Sequence, residues 1–354
     1  MSTDLSNLNG RPVIIGGGAA GLMTALQLAP EPVVLISKSP LGAEASSMWA
    51  QGGLAAPVGA DDTPALHLAD TIAAGAGLCD AAAASRIVHA APAAVEQLAE
   101  LGVAFDRRAD GSWRLGLEAA HGRNRIVHAT GDGTGREIMR ALIAAVRRTP
   151  SITLLEGVEA RRLLVEDNAV RGVLAASDRG RLAITTNRVV IATGGCAFLS
   201  KTLGSNVLTG DGYLMAAEVG AEFSSMEFSN PYAISAAFGS VTKTLFYGWA
   251  TFTHDDGSVV PGAASKGGRS AIARALLEGP VYARLDKADD DVQRQMRVSQ
   301  PNFFLPFDRT GIDPFNDRFP ITLRLEGTVR GTGGLRIVDD SCATSVAGLY
   351  AAGD

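Results

Sequence analysis

Cysteine is scarce in this sequence. The 354 residues include three cysteines, Cys79, Cys196 and Cys342, and no two of them form a C-x-x-C motif. This spacing argues against a disulfide framework and against a cysteine-ligated zinc or iron–sulfur site. We therefore expect no metal, and a reducing compartment, the cytoplasm, fits the chain best.

Net positive charge and long apolar runs are also lacking. The formal net charge is −5, so nucleic acid and an anionic membrane surface are poor partners for the chain. No segment approaches the roughly 20 apolar residues that span a bilayer. Residues 1–11 lack the apolar centre of a signal peptide. These absences indicate a cytoplasmic protein without a membrane span, long enough for more than one domain.

The most informative stretch is a glycine-rich turn between a strand and a helix. Apolar residues 13–15 predict a buried parallel strand, residues 20–28 a helix and residues 33–36 a second strand. Residues 16–21 read G-G-G-A-A-G, a G-x-G-x-x-G motif in which glycines permit the turn, the approach of a pyrophosphate and helix packing. The motif predicts a nucleotide-cofactor site rather than an incidental turn. Its binding residues are Gly16, Gly18, Ala19, Ala20 and Gly21.

The end of the second strand carries no acidic residue. Ser37 and Lys38 stand where an aspartate or glutamate often holds a ribose. The serine hydroxyl can still bind a ribose hydroxyl, and Lys38 either contacts a phosphate or is solvated, with solvation slightly favoured. We count both residues as candidates for cofactor binding.

A small-residue segment carries a specific resemblance. Residues 50–53 read A-Q-G-G and residues 70–80 read D-T-I-A-A-G-A-G-L-C-D. Together they resemble the flavoprotein family of succinate dehydrogenase, fumarate reductase and L-aspartate oxidase, and the L-aspartate oxidase branch is the most similar. The resemblance implies that Gln51, Gly52 and Gly53 line the isoalloxazine ring of FAD. Ser46 stands where covalently flavinylated members carry a histidine, which implies non-covalent FAD.

A stretch of ionisable residues follows two expected amphipathic helices in residues 81–105. Residues 118–128 match an E-x-x-H-x-R-x-R-I-x-H run, and arginine is suited to binding carboxylates. A solvated loop is the alternative. Because similar runs lie beside flavin and substrate in L-aspartate oxidases, the resemblance implies that Glu118, His121 and Arg125 line the site.

Further cofactor contacts are expected later in the chain. Short apolar runs at 152–155, 160–165 and 170–175 predict a small β-meander, and residues 192–195 read A-T-G-G after an apolar strand. The glycine turns at residues 16–21 and 192–195 would both contact the cofactor, as a long dinucleotide requires. The resemblance implies that the acidic end of the last strand contacts the ribityl chain. The expected FAD-binding residues of this part are Val158, Thr193, Gly194, Gly195, Asn206, Thr209, Asp211 and Asp354.

The capping domain of the family is the part from which this sequence departs. Tyr232 and Val329 stand at positions where the family has histidines, and residues 246–249 replace a segment with the proposed proton-shuttle arginine. Arg269 is the cap arginine that looks retained. Residues expected to form a more aromatic substrate pocket, in which Arg330 holds one carboxylate, are Tyr232, Tyr247, Trp249 and Arg330. The alternative is that the aromatic residues only pack the cap.

The sequence thus predicts an α/β fold. Residues 1–226 and 327–354 are expected to form a Rossmann-like FAD-binding domain with an inserted β-meander, and residues 227–326 an α+β capping domain. The expected function is FAD-dependent oxidation of a small amino-acid or carboxylate substrate by hydride transfer to flavin N5. Alternatives are a flavoprotein subunit of an electron-transferring complex and a non-catalytic FAD-binding paralogue. Family members continue past the acidic ribityl contact, so we also expect a second polypeptide that supplies the following helix.

Overall fold

The structure is a computed structural model that describes residues 6–118, 120–228, 232–242, 244–264, 268–325 and 333–354. The chain divides into two compact units. The first contains Met1–Trp49, Ile138–Pro231 and Leu325–Asp354, and the second contains Ala50–Glu137 and Tyr232–Arg324. The domain bounds given above stay a prediction.

The helices of the described residues are named in chain order. They are α1 (Ala19–Leu28), α2 (Pro64–Gly75), α3 (Ala81–Glu100), α4 (Thr134–Arg148), α5 (Asp211–Glu218), α6 (Gly268–Glu278), α7 (Asp290–Ser299) and α8 (Pro301–Thr310). Short 3₁₀ helices lie at Ser6–Leu8, Ser46–Trp49, Met226–Phe228 and Thr244–Trp249. Among the residues that the structure describes, no helix has the length and apolar character needed to cross a membrane.

The strands are short, and most of them belong to small sheets. They are β1 (Val13–Ile15), β2 (Val33–Ser37), β3 (Leu54–Ala55), β4 (Leu115–Gly116), β5 (Ile126–Val127), β6 (Ile152–Glu156), β7 (Glu159–Glu166), β8 (Ala169–Ser177), β9 (Gly180–Thr185), β10 (Val189–Ile191), β11 (Phe223–Ser224), β12 (Tyr232–Ala236), β13 (Thr251–His254), β14 (Val281–Arg284), β15 (Phe319–Leu325), β16 (Gly334–Leu335) and β17 (Leu349–Ala351).

The first unit is built on a five-stranded parallel sheet in the order β17-β10-β1-β2-β6. All residues of β1 and β2 are buried, as expected for a parallel sheet covered on both faces. The carboxyl ends of β1, β2, β10 and β17 lie at one edge of this sheet. That edge is where α/β proteins bind ligands, and the predicted α/β fold with a parallel sheet in the FAD-binding part is confirmed.

The inserted meander is β7-β8-β9, which pair in antiparallel fashion. The sequence interpretation was wrong about one strand: residues 152–155 lie in β6, which pairs in parallel with β2 in the main sheet. Because α4 comes directly before β6, the chain returns through a helix, the connection that parallel strands need. The third meander strand, β9, follows a tight turn after β8 and has a more polar sequence than the runs that predicted strands.

The second unit contains two sheets and a phenylalanine-rich core. Sheet β12-β15-β14-β13 packs with α6, α7 and α8, and β3-β5-β4 forms a small separate sheet. Phe303, Phe304 and Phe307 lie on one face of α8 and are almost fully buried, where edge-to-face contacts add to their burial. Residues 81–100 form one helix, α3, with Pro92 inside it, and not the first of two helices.

Candidate functional site

The glycine-rich turn after β1 is sterically restricted at two positions. Gly16 has φ +129°, and a Cβ added there would lie 2.1 Å from the carbonyl oxygen of Ala192. A Cβ at Gly21 would lie 1.9 Å from the carbonyl oxygen of Gly16. Both positions therefore need glycine to bring α1 against β1 and β10, as the motif predicts.

The middle glycine of the turn faces open space. A Cβ at Gly18 would approach only the Ser47 Oγ, at 3.4 Å. Gly18 is the N-cap of α1 and provides no side-chain hydrogen bond to the first turn, while the Ala19 N–H donates to Ser47 Oγ at 3.2 Å. The N-terminus of α1 is thus a place where backbone amides and a partial positive charge suit a pyrophosphate. Ser47, which contacts the turn, was not named by the sequence interpretation.

Ser37 and Lys38 both make hydrogen bonds within the protein. The Ser37 hydroxyl is buried and donates to the carbonyl oxygen of Ser39 at 2.7 Å, and the Val158 N–H donates to the Ser37 carbonyl oxygen at 3.1 Å. Lys38 Nζ donates to the carbonyl oxygen of Val207 and to Thr209 Oγ1, both at 3.3 Å. Lys38 is therefore held against the loop before α5 and is not simply solvated.

The loop after β10 brings the second set of predicted cofactor residues to the same edge of the sheet. Gly194 has φ +74° and Gly195 is buried. A Cβ at Gly212 would lie 2.0 Å from Thr193 Oγ1, so α5 packs directly on this turn. The Thr209 hydroxyl donates to Asp211 Oδ2 at 2.5 Å. Asn206 is exposed on this loop.

A cavity of about 390 Å³ lies beside the carboxyl ends of β10 and β17, within the first unit. Its lining includes Tyr213, Leu335 and Asp354. Burial, followed by the charge of Asp354 and then Cys196, raises the pKa of Tyr213 to about 12. Its phenol is therefore protonated at neutral pH, and its hydroxyl donates to the Gly333 carbonyl oxygen at 3.5 Å.

The A-Q-G-G segment belongs to the second unit. Gly53 has φ +85°, and a Cβ there would lie 2.6 Å from the Val127 carbonyl oxygen, because the segment pairs closely with β5. A Cβ at Gly52 would meet no heavy atom within 4 Å. Gln51 Nε2 is buried and has no hydrogen-bond partner among the described residues. A buried amide donor without a partner is costly, so this position fits a residue that donates to a bound ligand.

Arg125 is fully buried in the second unit. Its Nε and Nη2 donate to the two carboxylate oxygens of Asp62 at 2.8 and 2.9 Å, and its Nη1 donates to Asp70 at 2.8 Å. The Gly122 N–H also donates to Asp70, at 2.7 Å. Three guanidinium nitrogens are therefore engaged inside the protein. Arg125 comes directly before β5, and its buried side chain holds Asp62 and Asp70 instead of facing solvent.

Two histidines lie next to Arg125. His121 Nδ1 is 3.4 Å from Arg125 Nη1, and the His67 ring contacts the His121 ring edge-to-face at 5.6 Å. Burial, and after it the Arg125 charge, lowers the pKa of each histidine. His67, which lies on α2, was missed by the sequence interpretation because its helix has an ordinary amphipathic pattern. Half-buried Glu118 lies on the same loop as His121.

Among the cap residues whose side chains the structure describes, Tyr247 lies in the core and Arg269 lies on the surface. Tyr247 is buried among Phe252, Phe303 and Phe319, and its hydroxyl has no partner in the part of the chain that the structure describes. Burial raises the pKa of this phenol. Tyr247 thus packs the core, in agreement with the packing alternative. Arg269 is exposed on α6.

Three of the named cap positions lie wholly or partly outside the described residues. Tyr232 begins β12, but its side chain is not among the described ones. Arg330 and Val329 lie outside the described residues. The expected contact of Arg330 with a substrate carboxylate stays a prediction.

Comparison with known proteins adds independent findings. The family model "FAD binding domain" matches residues 11–233. The chain is 42% identical to L-aspartate oxidase of Mesorhizobium japonicum, over 100% of this chain and 70% of that protein. It is 41% identical to L-aspartate oxidase of Agrobacterium fabrum, over 97% of this chain and 67% of that protein.

Solved structures share the fold at lower identity. A quinol fumarate reductase chain from E. coli superposes with a TM-score of 0.80 at 24% identity, covering 97% of this chain and 64% of that chain. Adenylylsulfate reductase from Archaeoglobus fulgidus superposes with a TM-score of 0.73 at 16% identity, covering 97% of this chain and 65% of that one. The chain thus spans slightly less than two thirds of these structures.

Proposed function

The chain belongs to the FAD-binding flavoprotein family that includes the L-aspartate oxidases, and from this premise we propose that it oxidises a small amino-acid or carboxylate substrate, with L-aspartate as the first candidate. The 42% identity with an L-aspartate oxidase across the whole chain is the observation that carries the proposal. FAD is the cofactor that the family uses. The glycine turn at residues 16–21 and the partnerless Gln51 amide fit that group.

FAD, when bound, supplies the hydride acceptor that an amino-acid oxidation needs. The roles of the protein are to hold the cofactor and to orient the substrate. The amides at the N-terminus of α1 are suited to the pyrophosphate, and Asp354 is the expected partner of the ribityl hydroxyls. In the second unit, Glu118 offers a carboxylate for a substrate ammonium group, and His121 offers an imidazole N–H for a substrate carboxylate.

Dicarboxylates without an amino group are expected to be poor substrates. The sequence has Tyr232 and Val329 where the family has histidines, and each missing hydrogen bond to a charged group costs roughly 1.5–3 kcal/mol. L-aspartate loses the same two donors, but it carries an ammonium group for the Glu118 carboxylate, a contact that succinate and fumarate cannot make. Succinate and fumarate therefore serve as matched controls for L-aspartate. Succinate-driven flavin reduction at rates on the order of 10 per second would contradict this expectation.

The experiment is an anaerobic stopped-flow measurement on the FAD-loaded chain. L-aspartate, D-aspartate, L-glutamate, L-asparagine and succinate are mixed separately with the oxidised protein, and the visible absorbance of the flavin is followed. Fumarate, which can only accept electrons, is mixed with the reduced protein. We expect bleaching by L-aspartate and none by succinate or D-aspartate. If no amino acid or carboxylic acid bleaches the flavin, the proposal fails and the chain is a non-catalytic FAD-binding protein.

The electron acceptor is tested by mixing the reduced protein with oxygen. Fast reoxidation supports an oxidase, and slow reoxidation supports a subunit that passes electrons to a partner. The similarity to fumarate reductase is a similarity of fold, and no observation favours the electron-transferring alternative over the oxidase. A cytoplasmic location and the absence of nucleic acid from its partners stay predictions.

A further inference from the structure

A cluster of one arginine, two histidines and two aspartates lies in the second unit, between α2 and the loop of residues 117–125. Arg125 is the centre of the cluster and is 0% exposed. Asp62 comes just before α2 and Asp70 lies on it, so both carboxylates reach Arg125 from the same element. Arg125 and Asp62 are both buried, and burying two charged groups carries a desolvation cost that their ion pair must offset.

The loop itself is held in an uncommon backbone conformation. Ala120 has φ +70°, in the left-handed region that non-glycine residues rarely adopt. Asp70 accepts hydrogen bonds from both the Gly122 N–H and Arg125 Nη1. The same carboxylate therefore fixes the backbone next to His121 and the guanidinium that contacts its ring.

The contact between Arg125 and His121 has only one possible direction. A guanidinium has N–H donors and no acceptor, so at the 3.4 Å separation of Arg125 Nη1 and His121 Nδ1 the imidazole nitrogen must accept. A neutral imidazole that accepts at Nδ1 carries its proton on Nε2. We propose that Arg125 is a positioning residue that fixes His121 as the neutral imidazole protonated on Nε2, the form that donates a hydrogen bond to a substrate carboxylate.

The surrounding charges agree with this assignment. Burial and the Arg125 guanidinium lower the pKa of His121, and three carboxylates, those of Asp70, Glu118 and Asp62, oppose the shift without reversing it. His67 packs edge-to-face on the ring from α2, and its own pKa is lowered as well. An imidazolium at position 121 would direct an N–H at a guanidinium N–H, which is repulsive. The statement that His121 donates to a substrate carboxylate rests on the proposed function. The tautomer of His121 is inferred from its contact with Arg125 alone.

The test is a spectroscopic one and needs no substrate. The full chain is labelled with ¹⁵N-histidine, and long-range ¹H–¹⁵N spectra report which ring nitrogen carries the proton. The chain has five histidines, and single variants His67→Gln, His89→Gln, His121→Gln, His128→Gln and His254→Gln assign their signals. At about pH 7 we expect His121 to show one protonated Nε2 and one unprotonated Nδ1. A protonated Nδ1, or an imidazolium, would overturn the inference.

Two variants examine the role of Arg125 itself. Arg125→Lys keeps the positive charge and loses the planar fork, and Asp70→Asn keeps an acceptor for Gly122 and loses the charge. In either variant we expect the Nδ1-protonated tautomer of His121 to rise to a measurable fraction. Arg123→Lys is the matched control, because Arg123 lies in the same loop but is exposed and paired with Asp61, and it should leave the His121 signals unchanged.

Each outcome decides one point. If His121 keeps a pure Nε2–H tautomer in folded Arg125→Lys and in Asp70→Asn, Arg125 does not position it and the inference fails. If the variants do not fold, the wild-type spectrum still decides the tautomer. A chain that shows the expected tautomer but does not react with L-aspartate would refute the proposed function alone.

Discussion

The guanidinium of Arg125 and the carboxylate of Asp62 form a bidentate ion pair at 2.8 and 2.9 Å, and both side chains are 0% exposed. Taking either partner away leaves an uncompensated buried charge, which is far more costly than loss of an exposed ion pair. Asp62 lies just before α2 and Arg125 lies just before β5. The ion pair therefore ties the start of α2 to the end of the loop that carries Glu118 and His121.

The first prediction concerns this pair. Asp62→Ala should lower the free energy of unfolding by about 3–5 kcal/mol, because Arg125 is left buried without its bidentate partner. The measurement is urea denaturation of the FAD-free protein. Asp61→Ala is the control, since Asp61 pairs with Arg123 at 3.5 Å at the surface, and its effect should stay within about 0.5 kcal/mol. If the two substitutions lowered the free energy of unfolding equally, the buried ion pair would contribute no more to stability than the exposed one.

The glycine turn makes a prediction that separates folding from cofactor binding. Gly21→Ala places a Cβ against the Gly16 carbonyl, so the FAD-free protein should lose about 1–3 kcal/mol of stability. Gly18→Ala has room in the protein and should change that stability by less than about 1 kcal/mol, while its methyl group blocks the pyrophosphate. We expect its affinity for FAD to fall at least about tenfold, or 1.4 kcal/mol.

FAD titration followed by flavin fluorescence measures this affinity, with denaturation run in parallel. Gly279→Ala serves as the control, because a Cβ there meets no heavy atom within 4 Å. A Gly18→Ala variant that binds FAD as tightly as the wild type would place the pyrophosphate elsewhere.

The flavin should be released by acid. Ser46 has no nitrogen to form a covalent bond with the flavin, unlike the histidine of the covalently linked members. Precipitation with acid should therefore leave all the yellow colour in the supernatant, and the absorbance of pellet and supernatant is compared. Colour retained in the pellet after washing would contradict non-covalent binding.

Acid should weaken the fold through His67. Burial, followed by the charges of Arg125 and His121, lowers the pKa of His67 in the folded protein below its usual value of about 6.5. Because the pKa is lowered, the unfolded chain binds more protons than the folded protein in the pH window just below about 6.5. The stability that neutral His67 contributes is therefore present above that pH and is lost as the pH falls. The free energy of unfolding should decrease between about pH 7 and pH 5, and part of this decrease should be missing in His67→Phe.

Urea denaturation at a series of pH values measures the slope. His89→Gln is the control, because His89 is exposed on α3, and its slope should match that of the wild type. If His67→Phe keeps the full slope, other groups cause the acid destabilisation.

The sequence by itself determined the parts of this protein that depend on short-range sterics. A run of three apolar residues followed by the glycine turn predicted β1, α1 and the cofactor end of the sheet. The structure gives the reason, since Gly16 and Gly21 leave no space for a side chain. The α/β class, FAD and the flavoprotein family followed from such local motifs.

Only the tertiary structure decided how distant residues combine. Residues 152–156 joined the parallel sheet and not the meander, because β2 was the partner available to them. Tyr247 became part of the core, and Ser47, which the sequence interpretation did not name, contacts the turn. Arg125 reads as a substrate-binding arginine in sequence, but its partner Asp62 lies 63 residues earlier. Burial of a charge depends on such long-range pairing, which no local pattern of residues encodes.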